Sequence, residues 1–191
     1  MYVPPVYRTT YRIVQEKDSK VKESMRMMGL QDFAYWSSWY TYYTIINTAI
    51  SGISWAILYF AVFSKTTWWI ILAMLWLFGQ SLFGMLLIIQ SIFTKPRAAA
   101  ITSSLVYFGF SMFQYFVSND DTKFWNRVWA CLSPPVALTQ TNAVLTRFEA
   151  SQVGAQPENF FSEYNNFSIA WGLIMMAIDC VWILLLGLYL D

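Results

Sequence analysis

Four long stretches without a charged residue, and a fifth interrupted only by Asp179, constrain this chain more than any other feature. A helix that crosses a bilayer needs about 20 mostly apolar residues. Only 12% of the 191 residues are charged and 57% are hydrophobic, whereas an ordinary soluble domain is roughly 25% charged. The sequence therefore predicts a helical integral membrane protein, with candidate spans inside residues 33–64, 66–94, 98–119, 128–146 and 164–190.

Four of these stretches predict transmembrane helices, at residues 36–63, 68–93, 98–118 and 166–190. Aromatic residues gather near the ends of the apolar runs, where Trp and Tyr rings favour the level of the lipid headgroups. We therefore expect interface anchors at Trp36, Trp39, Tyr40, Tyr42, Tyr43, Trp68 and Trp69.

The remaining stretch contains the run Ser133-Pro134-Pro135. Two prolines remove two amide donors and push the preceding residue out of the helical region. One interpretation is a re-entrant pair of short helices over residues 124–147, which enters and leaves the membrane on one side. The alternative is a single kinked span.

Basic residues predict the orientation. With four spans, residues 1–32 and the turn at residues 95–97 lie on one side with eight Lys and Arg, and the other side has four. The positive-inside rule assigns the first side to the cytoplasm. The protein is then multi-pass, in the plasma membrane or an endomembrane, and the sequon at Asn166 lies outside, where glycosylation occurs.

Residues 12–30 are charge-dense, with apolar residues near helical spacing and the i,i+4 pairs Glu16–Lys20 and Asp18–Lys22. They predict an amphipathic helix that stops at Gly29 and Leu30. It would lie on headgroups or dock a cytoplasmic partner. The expected fold is all-α integral membrane, with a cytoplasmic amphipathic helix, about four transmembrane helices and a re-entrant outer helical hairpin.

Composition excludes several functions. The chain has no histidine, which removes imidazole catalysis and imidazole metal ligands. Its net charge of +1 offers no basic surface for nucleic acid. Cys131 and Cys180 are too few for a disulfide framework. We expect no catalytic site, metal site or cofactor in this chain.

Two segments resemble ABC transporters of subfamily A. The first is Arg12-Ile-Val-Gln-Glu-Lys-Asp-Ser-Lys-Val-Lys-Glu-Ser-Met-Arg-Met-Met-Gly-Leu30 followed by Trp36-Ser-Ser-Trp39, and the second begins at Leu132-Ser133-Pro134. Such transporters carry a similar charged segment, ending in Met-x-x-Met-Gly-Leu, between their second and third membrane helices. The resemblance continues through Asp179 to the end of the chain.

The resemblance implies a function. Members of that family move lipids or lipid-like molecules, driven by ATP and Mg bound to cytoplasmic nucleotide-binding domains. Residues 12–30 would be the coupling helix that contacts such a domain. The resemblance assigns this contact to Glu16, Lys17, Lys22, Glu23 and Arg26, and Met25, Met27 and Met28 would add an adaptable apolar surface.

The sequence also departs from the family. It has no Gly-x-x-x-x-Gly-Lys-Ser/Thr phosphate loop, so the ATPase would lie elsewhere. We expect either a fragment, with the nucleotide-binding domain and a second transmembrane half on the same longer polypeptide, or a reduced relative. The alternative function is a non-transporting membrane subunit or scaffold that has lost ATP coupling.

Polar residues within the predicted spans have two interpretations. The residues are Asn47, Gln80, Gln90 and Gln114. Their side chains either form interhelical hydrogen bonds or line a polar translocation surface. Asp179, the one charged residue inside a predicted span, is expected to lock the last span to a neighbouring helix, although an intramembrane carboxylate is also a functional candidate. Gly52, Gly79 and Gly84 predict close approach between helices.

Overall fold

The computed structural model describes residues 2–117, 124–162 and 167–190. Over these residues the chain is helical, as predicted. The helices are α1 Val3–Asp18, α2 Val21–Met27, α3 Asp32–Ala61, α4 Trp68–Ile92, α5 Pro96–Met112, α6 Gln114–Val117, α7 Phe124–Ala130, α8 Pro134–Ala150 and α9 Ile169–Leu190, with a 3₁₀ turn at Pro157–Asn159.

Helix α4 is the centre of the bundle. It contacts α1, α3, α5, α8 and α9, and side chains such as Ile70, Phe78 and Leu86 are buried. A helix that is apolar on every side is stable only when neighbours or lipid cover every side. The core therefore lies along α4, and α3 and α9 keep many apolar side chains exposed.

Within the described part of the chain, three helices are long and apolar enough to cross a bilayer: α3, α4 and α9. Helix α5 has 17 residues, which span about 26 Å, less than the roughly 30 Å hydrocarbon core. It ends at Met112, and α6 begins at Gln114. The stretch predicted as one span over residues 98–118 is thus divided, and its crossing of the membrane stays a prediction.

Helices α7 and α8 flank the proline run. Pro134 and Pro135 occupy the first turn of α8, where a missing amide hydrogen leaves no helical bond unmade. The start of α7 and the segment that follows α8 both lie near the start of α9. The ring of Phe124 is 5.6 Å from that of Trp171, and Ala170 N donates to Phe160 O at 3.2 Å.

The turn between α7 and α8 lies deeper in the bundle. A methyl group added to Gly172 would meet Thr141 Oγ1 at 2.0 Å, so α8 passes the first turn of α9. Pro134 lies seven residues before Thr141, a rise of about 10 Å along α8. Such a hairpin suits the predicted re-entrant placement, which stays a prediction.

The loop between α3 and α4 meets the end of α8. Thr66 Oγ1 donates to Glu149 Oε2 at 2.8 Å, and Lys65 N donates to Glu149 Oε1 at 3.0 Å. Thr67 N donates to Ala155 O at 2.9 Å. These contacts place Lys65 and Thr66 beside Glu149 at one end of the bundle.

The prediction of one helix over residues 12–30 is wrong. Helix α1 begins at Val3 and buries Ile13 and Val14. It ends at Asp18, and Lys20 adopts a left-handed conformation with φ 55°. The chain turns there because α1 is held in the bundle while α2 leaves it. The expected pairs Glu16–Lys20 and Asp18–Lys22 required a continuous helix, and the break separates them.

The predicted stop at Gly29 is confirmed. Gly29 has φ 94°, which glycine adopts without strain. Gly29 N donates to Arg26 O at 3.0 Å, and Leu30 N donates to Met25 O at 3.1 Å. This pair of bonds is the Schellman motif, which satisfies the last carbonyl groups of a helix.

Candidate functional site

The candidate site is the surface of α2, which we call the α2 surface. All seven residues of α2 are described, and none of them is buried. Met27 and the capping residue Met28 are 83% and 80% exposed. Large apolar side chains in water signal a binding surface when they lie together, and flexible methionines suit an adaptable interface.

The base of the α2 surface is fixed to α3. Lys22 Nζ lies 4.9 Å from the ring centroid of Trp36 and 5.5 Å from that of Tyr35, a cation–π geometry. Arg26 forms an ion pair with Asp32 at 3.3 Å. Both residues were assigned to partner contact by the family resemblance, and the structure shows that each also holds α2 to the start of α3.

Glu16 and Lys17 connect the end of α1 to the bundle. Glu16 Oε2 accepts hydrogen bonds from Tyr35 Oη at 3.0 Å and Trp39 Nε1 at 3.2 Å. Lys17 Nζ donates to the backbone oxygens of Gln90 and Ser91 at 3.0 and 3.4 Å. A cation at this position also interacts favourably with the negative C-terminal end of the α4 helix dipole.

A cavity of about 710 Å³ opens beside α2, between α1 and α3. Met25 and Leu30 line it from one side, Gln15 and Glu16 from α1, and Trp39 from α3. Met25 is therefore half-buried against this cavity, whereas Met27 and Met28 point into open space. Glu23 is exposed on the α2 surface.

The structure thus sorts the residues implied by the resemblance. Glu23 and Met28 lie on the exposed side, Met25 lines the cavity, and the other four make the internal contacts described above. Met27, which was expected to contribute to the same apolar surface as Met25 and Met28, is the most exposed apolar residue of α2. Sequence periodicity could not rank the three methionines because it assumed a continuous helix.

The polar residues within the spans mainly join helices. Asn47 Nδ2 donates to Trp76 O at 3.1 Å, and its side chain covers Gly79. Gln80 Nε2 donates to Thr44 Oγ1 at 3.2 Å. Both pairs connect α3 with α4, which favours the structural interpretation over a translocation surface.

Among the remaining polar and aromatic residues, Tyr43 differs from expectation. Gln90 is buried where its backbone oxygen meets Lys17, and Gln114 begins α6. Tyr43, predicted as an interface anchor, is buried and donates to Gly79 O at 2.9 Å. Asn166 lies outside the described residues.

Asp179 is fully buried in α9. Its Oδ1 accepts a hydrogen bond from Trp182 Nε1 at 2.9 Å, one turn along the same helix. Among the described residues, Oδ2 has no hydrogen-bond partner. The expectation that Asp179 locks α9 to another helix by a hydrogen bond is therefore wrong, because the bond that forms is local.

Comparison with known proteins agrees with this architecture. Residues 1–189 match the family described as "ABC-2 family transporter protein". Among human relatives, ATP-binding cassette sub-family A member 13 is 26% identical over 94% of this chain and 4% of its own length. Phospholipid-transporting ATPase ABCA3 is 28% identical over 88% of this chain and 11% of its own length.

Cholesterol transporter ABCA5, also human, is 26% identical over 100% of this chain and 12% of its own length. The chain thus spans between 4% and 12% of the length of these relatives. The family match covers nearly the whole chain, and the apolar helices agree with an integral membrane protein. The chain belongs to the ABC-2 transporter family, as a membrane domain of the type found in subfamily A.

Proposed function

We propose that this chain is the membrane-spanning part of an ATP-driven transporter of lipids or lipid-like molecules, and that the α2 surface couples it to a nucleotide-binding domain. ATP and Mg would bind that partner domain, which lies outside this chain. The relatives support the substrate class, since two of them are named as a phospholipid-transporting ATPase and a cholesterol transporter.

The exposure of α2 carries the coupling proposal. A seven-residue helix is too short to be stable alone in water. This one is capped, tied at its base by Lys22 and Arg26, and left with exposed methionines. A short helix that is fixed to its neighbour on one side and exposes apolar side chains on the other is the arrangement expected of a helix that binds a partner.

Motion of the partner would reach the bundle through the contacts at this base. Displacement of α2 acts on α3 through Arg26 and Asp32, and on α1 through the short turn at Lys20. Glu16 and Lys17 then connect α1 with α3 and α4. Packed helices move as rigid units rather than deform continuously, so nucleotide-driven closure would tilt the spans.

Site-directed cross-linking tests the contact. In the native polypeptide or complex that contains this chain, Met27→Cys is labelled with a photoreactive maleimide and irradiated. We expect cross-linked peptides from a domain that contains a phosphate loop, with a yield that changes between ATP-bound and nucleotide-free protein, because coupling needs different contacts in two states.

Val153→Cys is the matched control. Val153 is 50% exposed in the loop after α8, at the opposite end of the bundle, and it should give no such peptide. If Met27→Cys cross-links to lipid alone, α2 is an interfacial helix. If it joins a protein without a phosphate loop, the scaffold function takes its place.

A further inference from the structure

An apolar groove lies between α3 and α9, with α4 as its floor. Its volume is about 520 Å³. Aromatic side chains of α3 and α4 form one wall, and aliphatic side chains of α9 form the other; they include Trp36, Tyr40, Phe83, Leu184, Leu185 and Leu188. The groove opens toward the surroundings of the bundle, where the hydrocarbon of the bilayer lies.

The groove is about one leaflet deep. On α3 it extends from Asp32 to Tyr40, and on α9 from Leu188 to Cys180. Eight residues of helix rise about 12 Å, compared with about 15 Å for half of the hydrocarbon core. An acyl chain lying along the helices therefore fits its length.

A second cavity, of about 220 Å³, adjoins the groove at Trp36, which lines both. Its lining includes three cations, Lys17, Lys22 and Arg26, and one carboxylate, Glu23. Asp32 lies at the rim of the groove and pairs with Arg26. Among the described side chains that line this cavity and the rim of the groove, three are cationic and two are anionic.

We propose that these two cavities form one binding site for an anionic phospholipid. An acyl chain occupies the groove between α3 and α9, and the phosphate of the headgroup lies at Lys22 and Arg26. Trp36 separates the two parts at the depth where an indole ring favours the membrane interface. This site does not depend on a nucleotide-binding domain, and it faces lipid at the outside of α3 and α9.

The charges predict the preference for an anionic headgroup. A basic residue close to the membrane surface strengthens the binding of anionic lipid by about fivefold. Arginine can bind two phosphate oxygens with its planar fork, and lysine acts as a compact charge. Bound lipid would hold α2 against α9 by contacting both. Among the described residues, α2 packs on α1, and Lys22 and Arg26 contact α3.

Native mass spectrometry tests the headgroup part. The purified protein that contains this chain is titrated in detergent with dioleoyl phosphatidylserine and dioleoyl phosphatidylcholine. We expect tighter binding of phosphatidylserine, and at least about a tenfold weakening in the double variant Lys22→Gln, Arg26→Gln. Lys95→Gln, Arg97→Gln removes two exposed cations at the start of α5 and should leave the affinity unchanged.

A second pair of variants tests the groove. Leu185→Trp fills it, whereas Leu186→Trp adds the same bulk to the neighbouring position, which is exposed and does not line the groove. We expect only Leu185→Trp to weaken binding of both lipids. Both residues are exposed by more than a third, so neither change disturbs the core.

Three results would overturn the proposal. The first is an unchanged preference for phosphatidylserine after loss of Lys22 and Arg26. The second is equal weakening by the control changes at Lys95 and Arg97, which would indicate unspecific charge attraction. The third is binding of glycerophosphoserine, which lacks acyl chains, as tight as that of the lipid, since the groove would then contribute nothing.

Discussion

At the scale of single residues, Glu16 joins the end of α1 to α3. Its Oε2 accepts from both Tyr35 and Trp39. Hydrogen bonds to a charged group are stronger than those between neutral groups. The family resemblance assigned Glu16 to partner contact. Its internal role could not be predicted from local sequence, because it depends on a helix that begins only at Asp32.

Replacement of Glu16 should loosen this junction. We expect Glu16→Ala to destabilise the fold by about 2 kcal/mol, because two donors lose their acceptor. Glu16→Gln keeps an acceptor oxygen and should cost less. Thermal unfolding of the purified protein followed by size-exclusion chromatography measures both variants. Equal melting temperatures for Glu16→Ala and the wild type would contradict this role.

Asp179 has a structural role at the same scale. Asp179→Asn keeps an acceptor for Trp182 and removes an ionisable group whose insertion costs about 2.5 to 3.5 kcal/mol. We therefore expect unchanged or higher thermal stability and transport within about twofold of the wild type. Trp182→Phe should instead lower the melting temperature, since it removes the hydrogen bond to Oδ1.

Loss of transport in a correctly folded Asp179→Asn variant would contradict the structural role. It would assign Asp179 to the chemistry of translocation, for which an intramembrane carboxylate is always a candidate. Parallel measurement of melting temperature and transport separates the two outcomes.

At the scale of helices, glycine governs the packing of α4 on α9. A methyl group at Gly84 would lie 2.7 Å from the backbone nitrogen of Leu184 and 2.8 Å from the carbonyl carbon of Ile183. Gly52, in α3, has no atom within 4 Å of that position among the described residues. The sequence predicted close approach at both, and only the structure separates them.

The two alanine variants should therefore differ in sign. Gly84→Ala is expected to destabilise the bundle by about 1 to 3 kcal/mol, because backbone atoms must move apart. Gly52→Ala should be neutral or stabilising by up to about 1 kcal/mol, the gain in helix propensity. Thermal unfolding measures both variants. Unchanged stability in Gly84→Ala would contradict the close packing of α4 on α9, and a large loss in Gly52→Ala would contradict the open space at Gly52.

Helix ends were predictable where a residue type determines the backbone. Gly29 indicated its left-handed cap, since few residues suit that conformation. The prolines indicated a break in the helix, but not that Pro134 begins α8. Lys20 adopts a left-handed conformation without such a signal, and the break between α1 and α2 was missed. The break reflects the burial of Val14 and the contacts of Lys17, which are tertiary and do not appear in local spacing.

At the scale of the whole molecule, hydropathy predicted the membrane class and the long helices, because about 20 apolar residues have few other stable environments. It could not predict that α4 is central, since α9 is at least as apolar as α4 along its length. The spatial partners of Gln80 and Tyr43 likewise depend on which helix α3 packs against.

In the proposed function, α2 is the contact through which ATP hydrolysis drives lipid transport. The most direct test reconstitutes the complete transporter in vesicles and measures ATP hydrolysis and lipid transport together. Met27→Asp should lower lipid moved per ATP by at least about fivefold, since coupling between sites is commonly worth that much, while Val153→Asp changes neither rate. If Met27→Asp moves as much lipid per ATP as the wild type, at the wild-type ATPase rate, the result would contradict coupling through α2.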